Sequence, residues 1–243
     1  MGLADLHIHT TYSLDGTATV RAVLKKASEV GLNVIAITDH DVIRGSLEAL
    51  ELAPAYGIHV IPGSEISTAS GHLLALFIHR DIPKGLSLEE TVRQVADQGG
   101  LCIAPHPGGN KLNSLQANVI RKALRDQEIA KTLVGIEVHN AGMMQLSRNQ
   151  VALDLAEELP VARVGNSDAH LLWMIGKGAT AFGGRTDRDL RRALLARTTY
   201  AVTQKPDSRL FLATFWMSRI ALRHAGWVSN NNHPQAPLQF ARQ

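Results

Sequence analysis

The chain has 243 residues, of which 45% are hydrophobic and 19% are charged, and its formal net charge at pH 7 is +3. This composition is typical of a folded globular protein and excludes a largely disordered chain. Because the lysines and arginines are scattered rather than grouped, the sequence carries no strong signature of a nucleic-acid-binding groove.

Short apolar runs alternate with helical segments along most of the chain. The predicted strands are residues 4–7, 34–38, 59–62, 73–78, 101–104, 134–138, 161–164 and 200–202. The predicted helices are residues 19–30, 46–56, 87–98, 115–127, 145–159 and 187–197, and Ser87 with Glu90 predicts a capping box on the third of them. Such alternation is typical of βαβ units with a parallel sheet, and seven or eight units in about 200 residues favour a barrel.

We therefore expect an α/β fold with a single barrel domain over residues 1–205. At 206–243 we expect a C-terminal helix and a polar tail that packs on the barrel or trails from it. The apolar stretch 210–222 contains Arg219 and is shorter than the about 20 residues that cross a bilayer. The sequence does not open with a signal-peptide pattern, and the single cysteine, Cys102, excludes an internal disulfide. We expect a cytoplasmic protein without membrane association, and the oligomeric state is left open.

Histidines and carboxylates are grouped at the ends of the predicted strands. Those at or just beyond a strand end are His7, His9, Asp39, His40, Glu65, His106, Asp168 and His170. In a barrel of parallel strands, all the carboxyl ends converge on one face, which is where barrel enzymes keep their active sites. We therefore expect these residues, distant in sequence, to meet in one pocket.

The spacing inside two of these groups suits metal binding. His7 and His9 are two residues apart, as are Asp168 and His170, and side chains at i and i+2 of an extended strand point the same way. Imidazole and carboxylate together suit zinc, manganese or iron. Glu65 has two oxygens and is able to bridge two ions.

The motifs that contain these residues resemble those of the PHP family, which is named for its occurrence in DNA polymerases and histidinol phosphatases. The similar stretches are DLHIHT at 5–10, TDHD at 38–41, GSEI at 63–66, HLL at 72–74, APHPG at 104–108 and SDAH at 167–170. The resemblance covers residues 3 to about 203, with the motifs in order. It implies a distorted (β/α)7 TIM-like barrel that binds up to three metal ions.

The resemblance also implies a ligand set. The first ion would be held by His7, His9, Glu65 and Asp168. The second ion would share Glu65 and add His72 and His106, and the third would be held by Asp15, His40 and His170. The alternative is a two-metal centre in which His40 acts on protons.

This metal centre implies phosphoester hydrolysis, in which a water activated by the metals attacks phosphorus. His40 and Asp41 are the predicted catalytic residues, because either could position the water or protonate the leaving group. The expected partner is a small phosphorylated molecule, and the expected cofactors are two or three zinc, manganese or iron ions.

Phosphate charge also calls for a cation, and Arg44, Lys177 and Lys111 each follow a predicted strand end. The alternative for each is a solvated surface charge. His139 closes the sixth predicted strand, where it either contacts substrate or has a structural role. Glu137 and Asn140, beside it in sequence, are predicted to brace the metal ligands or line the pocket.

Two other functions remain open from the sequence. One is a metal-dependent amidohydrolase, whose relatives usually carry a carboxylated lysine at the end of the fourth strand. Residues 77–80 contain no lysine, which lowers this alternative. The other is a metal-binding module without catalysis, which the complete set of ligands disfavours.

Overall fold

The computed structural model describes residues 1–109, 113–142 and 146–203, with the side chains of Leu146 and Ser147 left aside. The strands are β1 (Gly2–Ile8), β2 (Val34–Ile37), β3 (His59–Thr68), β4 (Gly71–Leu76), β5 (Leu101–Ala104), β6 (Leu133–Asn140), β7 (Ala162–Asn166), β8 (Gly178–Phe182) and β9 (Tyr200–Thr203). The helices are α1 (Val20–Glu29), α2 (Arg44–Leu52), α3 (Leu88–Asp97), α4 (Ala117–Ala123), α5 (Gln127–Thr132), α6 (Leu146–Glu158) and α7 (Asp187–Ala196). Short 3₁₀ helices cover Ala53–Tyr56 and Leu172–Met174.

The strands of the described residues form one sheet in the order β7-β6-β5-β4-β3-β2-β1-β8-β9. The sheet curls until it nearly closes: Ile8, at the end of β1, forms a bridge with Ala169, just beyond β7. On the other side, the hydroxyl of Thr180 in β8 donates to the carbonyl of Gly165 in β7 at 2.8 Å. The prediction of an α/β fold with a distorted, TIM-like barrel is confirmed.

The expectation of a wholly parallel sheet is wrong. The pairs β1–β2, β2–β3, β5–β6 and β6–β7 are parallel, whereas β3–β4, β4–β5, β1–β8 and β8–β9 are antiparallel. The reversal between β3 and β4 follows from its connection, because Ala69 and Ser70 alone separate the paired residues Thr68 and Gly71. A link that short makes a hairpin and cannot form a parallel crossover.

Apolar periodicity explains the elements. All four residues of β2 are buried, as a strand covered on both faces requires, and burial of each of its valine and isoleucine side chains contributes about 1.5–3 kcal/mol. Helix α3 buries Leu88, Val92 and Val95 along one stripe, and Ser87 caps it by accepting a hydrogen bond from the Glu90 backbone at 3.1 Å.

Three element predictions differ from the structure. The predicted helix 115–127 is two helices, because Asp126 caps a second one by accepting from the Glu128 backbone at 2.9 Å. β8 has no predicted counterpart, since its sequence GATAF has few β-branched residues. β3 also runs six residues further than predicted, so that Glu65 lies inside the strand rather than after it.

The predicted C-terminal segment 206–243 and Lys111 lie outside the described residues. Within the described ranges, no helix combines the length and apolar character needed to pass through a bilayer.

Candidate metal centre

His7 and His9 lie side by side at the end of β1, as their spacing predicts. Both are buried, and their ring centroids are 5.1 Å apart. The Nε2 atoms of His7 and His9 lie 3.2 and 3.3 Å from Oε2 of Glu65, and each is 3.4 Å from Oδ1 of Asp168. The two histidines therefore present the same ring nitrogen to the same two carboxylates.

Glu65 lies at the centre of the cluster, with its side chain only 1% exposed. Its Oε2 faces His7, His9 and, at 3.3 Å, Nδ1 of His40. Its Oε1 faces Nδ1 of His72 at 3.0 Å and Nε2 of His106 at 3.1 Å. Because the two oxygens face different imidazoles, the geometry suits a bridging carboxylate.

His72 reaches the cluster because β4 is antiparallel. It lies near the start of β4, opposite Ser67 of β3, and its backbone bridges to Ser114. In a parallel strand this position would lie at the far end of the barrel. The hairpin therefore supplies a ligand from the amino end of a strand.

A more exposed group of ligands lies at the edge of the cluster. Oδ2 of Asp15 lies 3.1 Å from Nε2 of His170 and 3.4 Å from Nε2 of His40. The side chains of Asp15 and His40 are 30% and 27% exposed, in contrast to the buried His7 and Glu65. We call Asp15, His40 and His170 the outer set, and its exposure shows where the cluster opens to solvent.

Hydrogen bonds behind the rings orient the histidines. Nδ1 of His7 lies 3.1 Å from Oε1 of Glu137, and Nδ1 of His170 lies 3.0 Å from the carbonyl of Asp168. In the neutral ring these acceptors keep the proton on Nδ1, which leaves the lone pair on Nε2, the nitrogen that faces the cluster. Such partners behind the ring are typical of metal-bound histidines.

The innermost nitrogens have no hydrogen bond. Within the described residues, Nε2 of His7, Nε2 of His9 and Nδ1 of His40 are buried without a hydrogen-bond partner. Buried polar atoms are almost always paired, and bound metal ions are partners that would satisfy these nitrogens. The chain therefore fits bound metal.

The described residues supply four overlapping sets of possible ligands. In each set the donor atoms lie within 4.8 Å of one another. The sets are His7 with His9 and Asp168; His7 with Glu65 and His106; His40 with Glu65 and His72; and His9 with Asp15, His40 and His170. The sequence-predicted metal ligands are thus brought together in one cluster, Asp15 included.

The charges of the cluster are mutually dependent. Burial would lower the pKa of His7, but Asp168, Glu65 and Glu137 outweigh it and raise that pKa well above its usual range. Burial would raise the pKa of Glu65, but the surrounding histidines hold it well below the usual range. The pKa of Asp168 is lowered in the same way, chiefly by His7. Both carboxylates are therefore ionised, as metal ligands must be.

Asp41, a predicted catalytic residue, has its carboxylate engaged elsewhere. The backbone N–H of Ser67 donates to its Oδ1 at 2.7 Å, and the Ser67 hydroxyl donates to its Oδ2 at 2.9 Å. Asp41 also has a positive φ of 57°, which those bonds hold in place. These contacts tie the loop after β2 to β3, and the catalytic role of Asp41 stays a prediction.

The three predicted substrate contacts have different surroundings. Arg44 is an exposed residue that begins α2. Nδ1 of His139 lies 3.3 Å from the Asn149 side chain, on α6, and burial lowers the His139 pKa. Lys177 is half-buried, and its backbone N–H donates to the Met174 carbonyl at 2.9 Å.

Several bracing residues carry no recognisable signal in the sequence. Ser13 contacts His9, Ser114 contacts Nδ1 of His106 at 3.0 Å, and Asn166 donates to Glu137 at 2.8 Å. Asp39 stands next to His40 in sequence, but the partners of its carboxylate are in the loop after β1. Serine and asparagine are too common to mark a site without the three-dimensional contacts.

Known proteins share this fold and its motifs. A sequence model of the PHP domain matches residues 5–164, and a model described as PHP-associated matches residues 147–199. The chain belongs to the PHP family.

Three similar proteins illustrate how far the likeness extends along the chain. An uncharacterized protein of Methanocaldococcus jannaschii is 43% identical over 168 residues, which are 65% of this chain and 93% of that protein. A two-domain protein of Bacteroides vulgatus that contains a predicted PHP-like metal-dependent phosphoesterase has a TM-score of 0.67 at 25% identity, covering 83% of this chain and 64% of its own. A 5'-3' exoribonuclease of Haemophilus influenzae is 33% identical over 134 residues, which are 52% of this chain and 47% of the enzyme.

The structure removes one argument against an amidohydrolase. β4 runs toward the start of β5, where Leu76 pairs with Leu101, and residues 77–80 therefore lie at the opposite end of β4 from His72. The absence of a lysine at 77–80 would be informative only if the fourth strand were parallel, and β4 is antiparallel to both of its neighbours. The missing lysine has no bearing on the metal centre.

Proposed function

We propose that the chain is a metal-dependent phosphoesterase that hydrolyses a small phosphorylated metabolite or nucleotide. The observation that carries this proposal is the position of the Nε2 atoms of His7 and His9, which are buried without a hydrogen bond and lie within 3.4 Å of two carboxylates, Glu65 and Asp168. Two imidazoles and two carboxylates around one point are a ligand set for zinc, manganese or iron.

We assign the ligands of three ions from these contacts. The inner ion is held by His7, His9, Glu65 and Asp168, and the second by Glu65, His72 and His106. The third ion is held by the outer set. Ions bound there supply a water nucleophile at neutral pH and neutralise the negative charge of the phosphoryl group.

The protein groups have separate tasks in this proposal. Glu65 and Asp168 hold the two inner histidines in position. Glu137 keeps the proton of His7 on Nδ1, away from the substrate side. His40, at the open edge, is the group best placed to exchange a proton with the leaving group if the outer set holds no ion.

The proposed substrate contacts are Arg44, Lys177 and His139. Asp41 has a different proposed role, which is to orient the loop that carries His40. Arg44 supports this assignment best, because it is exposed and only four residues from His40. A guanidinium there suits bidentate binding of a phosphate.

Elemental analysis of the purified protein, together with hydrolysis of a chromogenic phosphoester with and without added manganese, tests the proposal. We expect two or three metal ions per chain and hydrolysis that depends on them. Metal binding without hydrolysis across a panel of phosphomonoesters, phosphodiesters and nucleotides would favour the non-catalytic module. Absence of metal after reconstitution would contradict the metal centre itself.

A further inference from the structure

We propose that Ser13, oriented by Asp39, is a positioning residue that fixes which ring nitrogen of His9 faces the metal cluster. The inference rests on the proposed metal centre and concerns a set of hydrogen bonds in the loop after β1. Ser13 is 2% exposed and lies four residues after His9.

The Ser13 hydroxyl has three polar neighbours. Its Oγ lies 2.9 Å from Oδ1 of Asp39, 3.0 Å from the backbone nitrogen of His40 and 3.2 Å from Nδ1 of His9. A hydroxyl has one proton to donate and two lone pairs to accept with. The three contacts therefore use its whole hydrogen-bonding capacity.

Only one assignment of protons satisfies all three contacts. Oδ1 of Asp39 accepts from the Thr10 backbone at 2.7 Å, so it acts as an acceptor, and the Ser13 proton is donated to it. The backbone N–H of His40 can only donate to Ser13. The remaining lone pair of Ser13 must then accept from His9, which places a proton on Nδ1 of that ring.

The consequence falls on the other ring nitrogen. With its proton on Nδ1, a neutral His9 has its lone pair on Nε2, which lies between Glu65 and Asp168 at 3.3 and 3.4 Å. The opposite tautomer would present an N–H to the cluster and could not bind metal. Ser13 thus sets His9 in the form that a metal ligand needs.

Asp39 is held in place before it orients Ser13. Its Oδ2 accepts from the Thr10 hydroxyl at 2.7 Å, and its carboxylate packs against the first turn of α2. A methyl group on Gly45 would come within 2.2 Å of that Oδ2, so the carboxylate fills the space that the glycine leaves. The positive end of the α2 dipole favours a carboxylate at this position.

The same hydroxyl connects two groups of ligands. Ser13 accepts from the His40 backbone and precedes Asp15 by two residues, so it fixes the loop that carries part of the outer set. Loss of the hydroxyl therefore disturbs His9 directly and the outer set through the backbone.

Nitrogen-15 NMR of histidine-labelled wild-type protein loaded with zinc tests the proposal. We expect His9 to carry its proton on Nδ1 and to bind zinc through Nε2, with an Nδ1–H proton that exchanges slowly with water. A proton on Nε2 of His9 would overturn the proposal.

Ser13→Ala and Ser64→Ala form the matched pair of variants. Both remove a buried serine hydroxyl that contacts Asp39, but Ser64 donates to the Asp39 backbone carbonyl at 2.9 Å rather than contacting its carboxylate. We expect Ser13→Ala to weaken zinc binding about 10–100-fold and to speed exchange of the His9 Nδ1–H, and Ser64→Ala to change neither.

Equal zinc affinity in Ser13→Ala and the wild type, or an equal loss in both variants, would contradict the assignment. If Ser13→Ala does not fold, the wild-type tautomer still decides the question. None of these measurements uses a substrate. A protein that binds zinc through Nε2 of His9 and hydrolyses no phosphoester would keep this inference and refute the proposed function.

Discussion

Oε1 of Glu137 lies 3.1 Å from Nδ1 of His7, and both side chains are fully buried. The same carboxylate accepts from the His106 backbone at 2.8 Å and from the Asn140 and Asn166 side chains, each at 2.8 Å. Glu137 therefore joins β1, the end of β5 and β7 behind the metal ligands. It binds no metal in the proposed assignment, yet it orients two residues that do.

Replacement of Glu137 by glutamine should weaken the metal centre without changing its ligands. The amide has the same size, but its NH₂ group would face one of the donors that the carboxylate now accepts from. We expect zinc affinity to fall about 10–100-fold and the free energy of unfolding to fall by roughly 1–3 kcal/mol. Competition with a chromophoric chelator and urea unfolding measure the two effects.

Glu158→Gln is the control, because Glu158 lies on the surface of α6 and pairs with an exposed arginine, Arg121. It should leave zinc affinity unchanged and affect stability by less than about 1 kcal/mol. If Glu137→Gln binds zinc as tightly as Glu158→Gln, Glu137 does not support the ligands.

Removal of an inner ligand should abolish function while leaving the barrel folded. His9→Ala and Asp168→Ala each delete a group that faces Glu65 or His7 inside the cluster. We expect loss of hydrolysis and loss of bound metal, with near-native circular dichroism. His59→Ala is the control, since His59 pairs with Asp187 on the surface at 3.1 Å. Full activity in metal-depleted His9→Ala would exclude the mechanism.

Because the outer set is more exposed than the inner ligands, we expect its ion to be lost separately from the inner ions. Asp15 is 30% exposed, and its carboxylate is the outer set's acidic group. Burial raises the pKa of Asp15, but contacts with His170 and His40 outweigh it and lower that pKa. Asp15→Asn keeps the shape and removes the charge, so we expect it to bind one ion fewer and to keep the inner ions. Metal content unchanged from the wild type would instead support a two-metal centre with a free His40.

The space beside Asp39 predicts the effect of a small substitution in α2. A methyl group at Gly45 would lie 2.2 Å from Oδ2 of Asp39 and 3.1 Å from the Thr10 hydroxyl. Overpacking of this kind costs about 1–3 kcal/mol, which exceeds the helix propensity gained by replacing glycine with alanine. Gly45→Ala should therefore unfold at lower urea concentration and bind zinc less tightly.

Gly183→Ala is the matched control, because a methyl group there has no neighbour within 4 Å. It should keep the zinc affinity of the wild type. Equal stability and equal zinc affinity in the two variants would show that Asp39 can move aside without effect on the metal centre.

The clustering of these histidines and carboxylates was predictable from sequence because much of the information is local. His7 and His9 share a strand, Asp168 and His170 share the turn after another, and strand ends of a barrel meet whatever the details of its sheet. The strand directions were not predictable in this way, because the β3–β4 reversal depends on a two-residue link that reads as a short loop. The bracing contacts join residues far apart in the chain, such as His7 with Glu137, and no spacing rule encodes them.

The start of α7 provides a prediction about pH that is independent of the metal centre. Asp189 completes a capping box with Thr186, and its Oδ2 also accepts from the Arg185 backbone at 3.0 Å. Those hydrogen bonds to the ionised carboxylate lower the Asp189 pKa from 3.8 to about 2. A carboxylate whose pKa is lower in the folded than in the unfolded chain stabilises the fold above the unfolded pKa and loses that effect as pH falls toward the folded value.

Asp189→Asn should therefore be less stable than the wild type at pH 7, and the difference should shrink once the pH drops below about 4. Urea unfolding of both proteins between neutral pH and about pH 3 measures the difference directly. Asp154→Asn is the control, because this exposed residue accepts from the Gln150 side chain and not from a helix cap. A stability difference for Asp189→Asn that stays constant over the whole pH range would mean that the charge of Asp189 does not contribute to the cap, and that the amide's shape alone accounts for the loss.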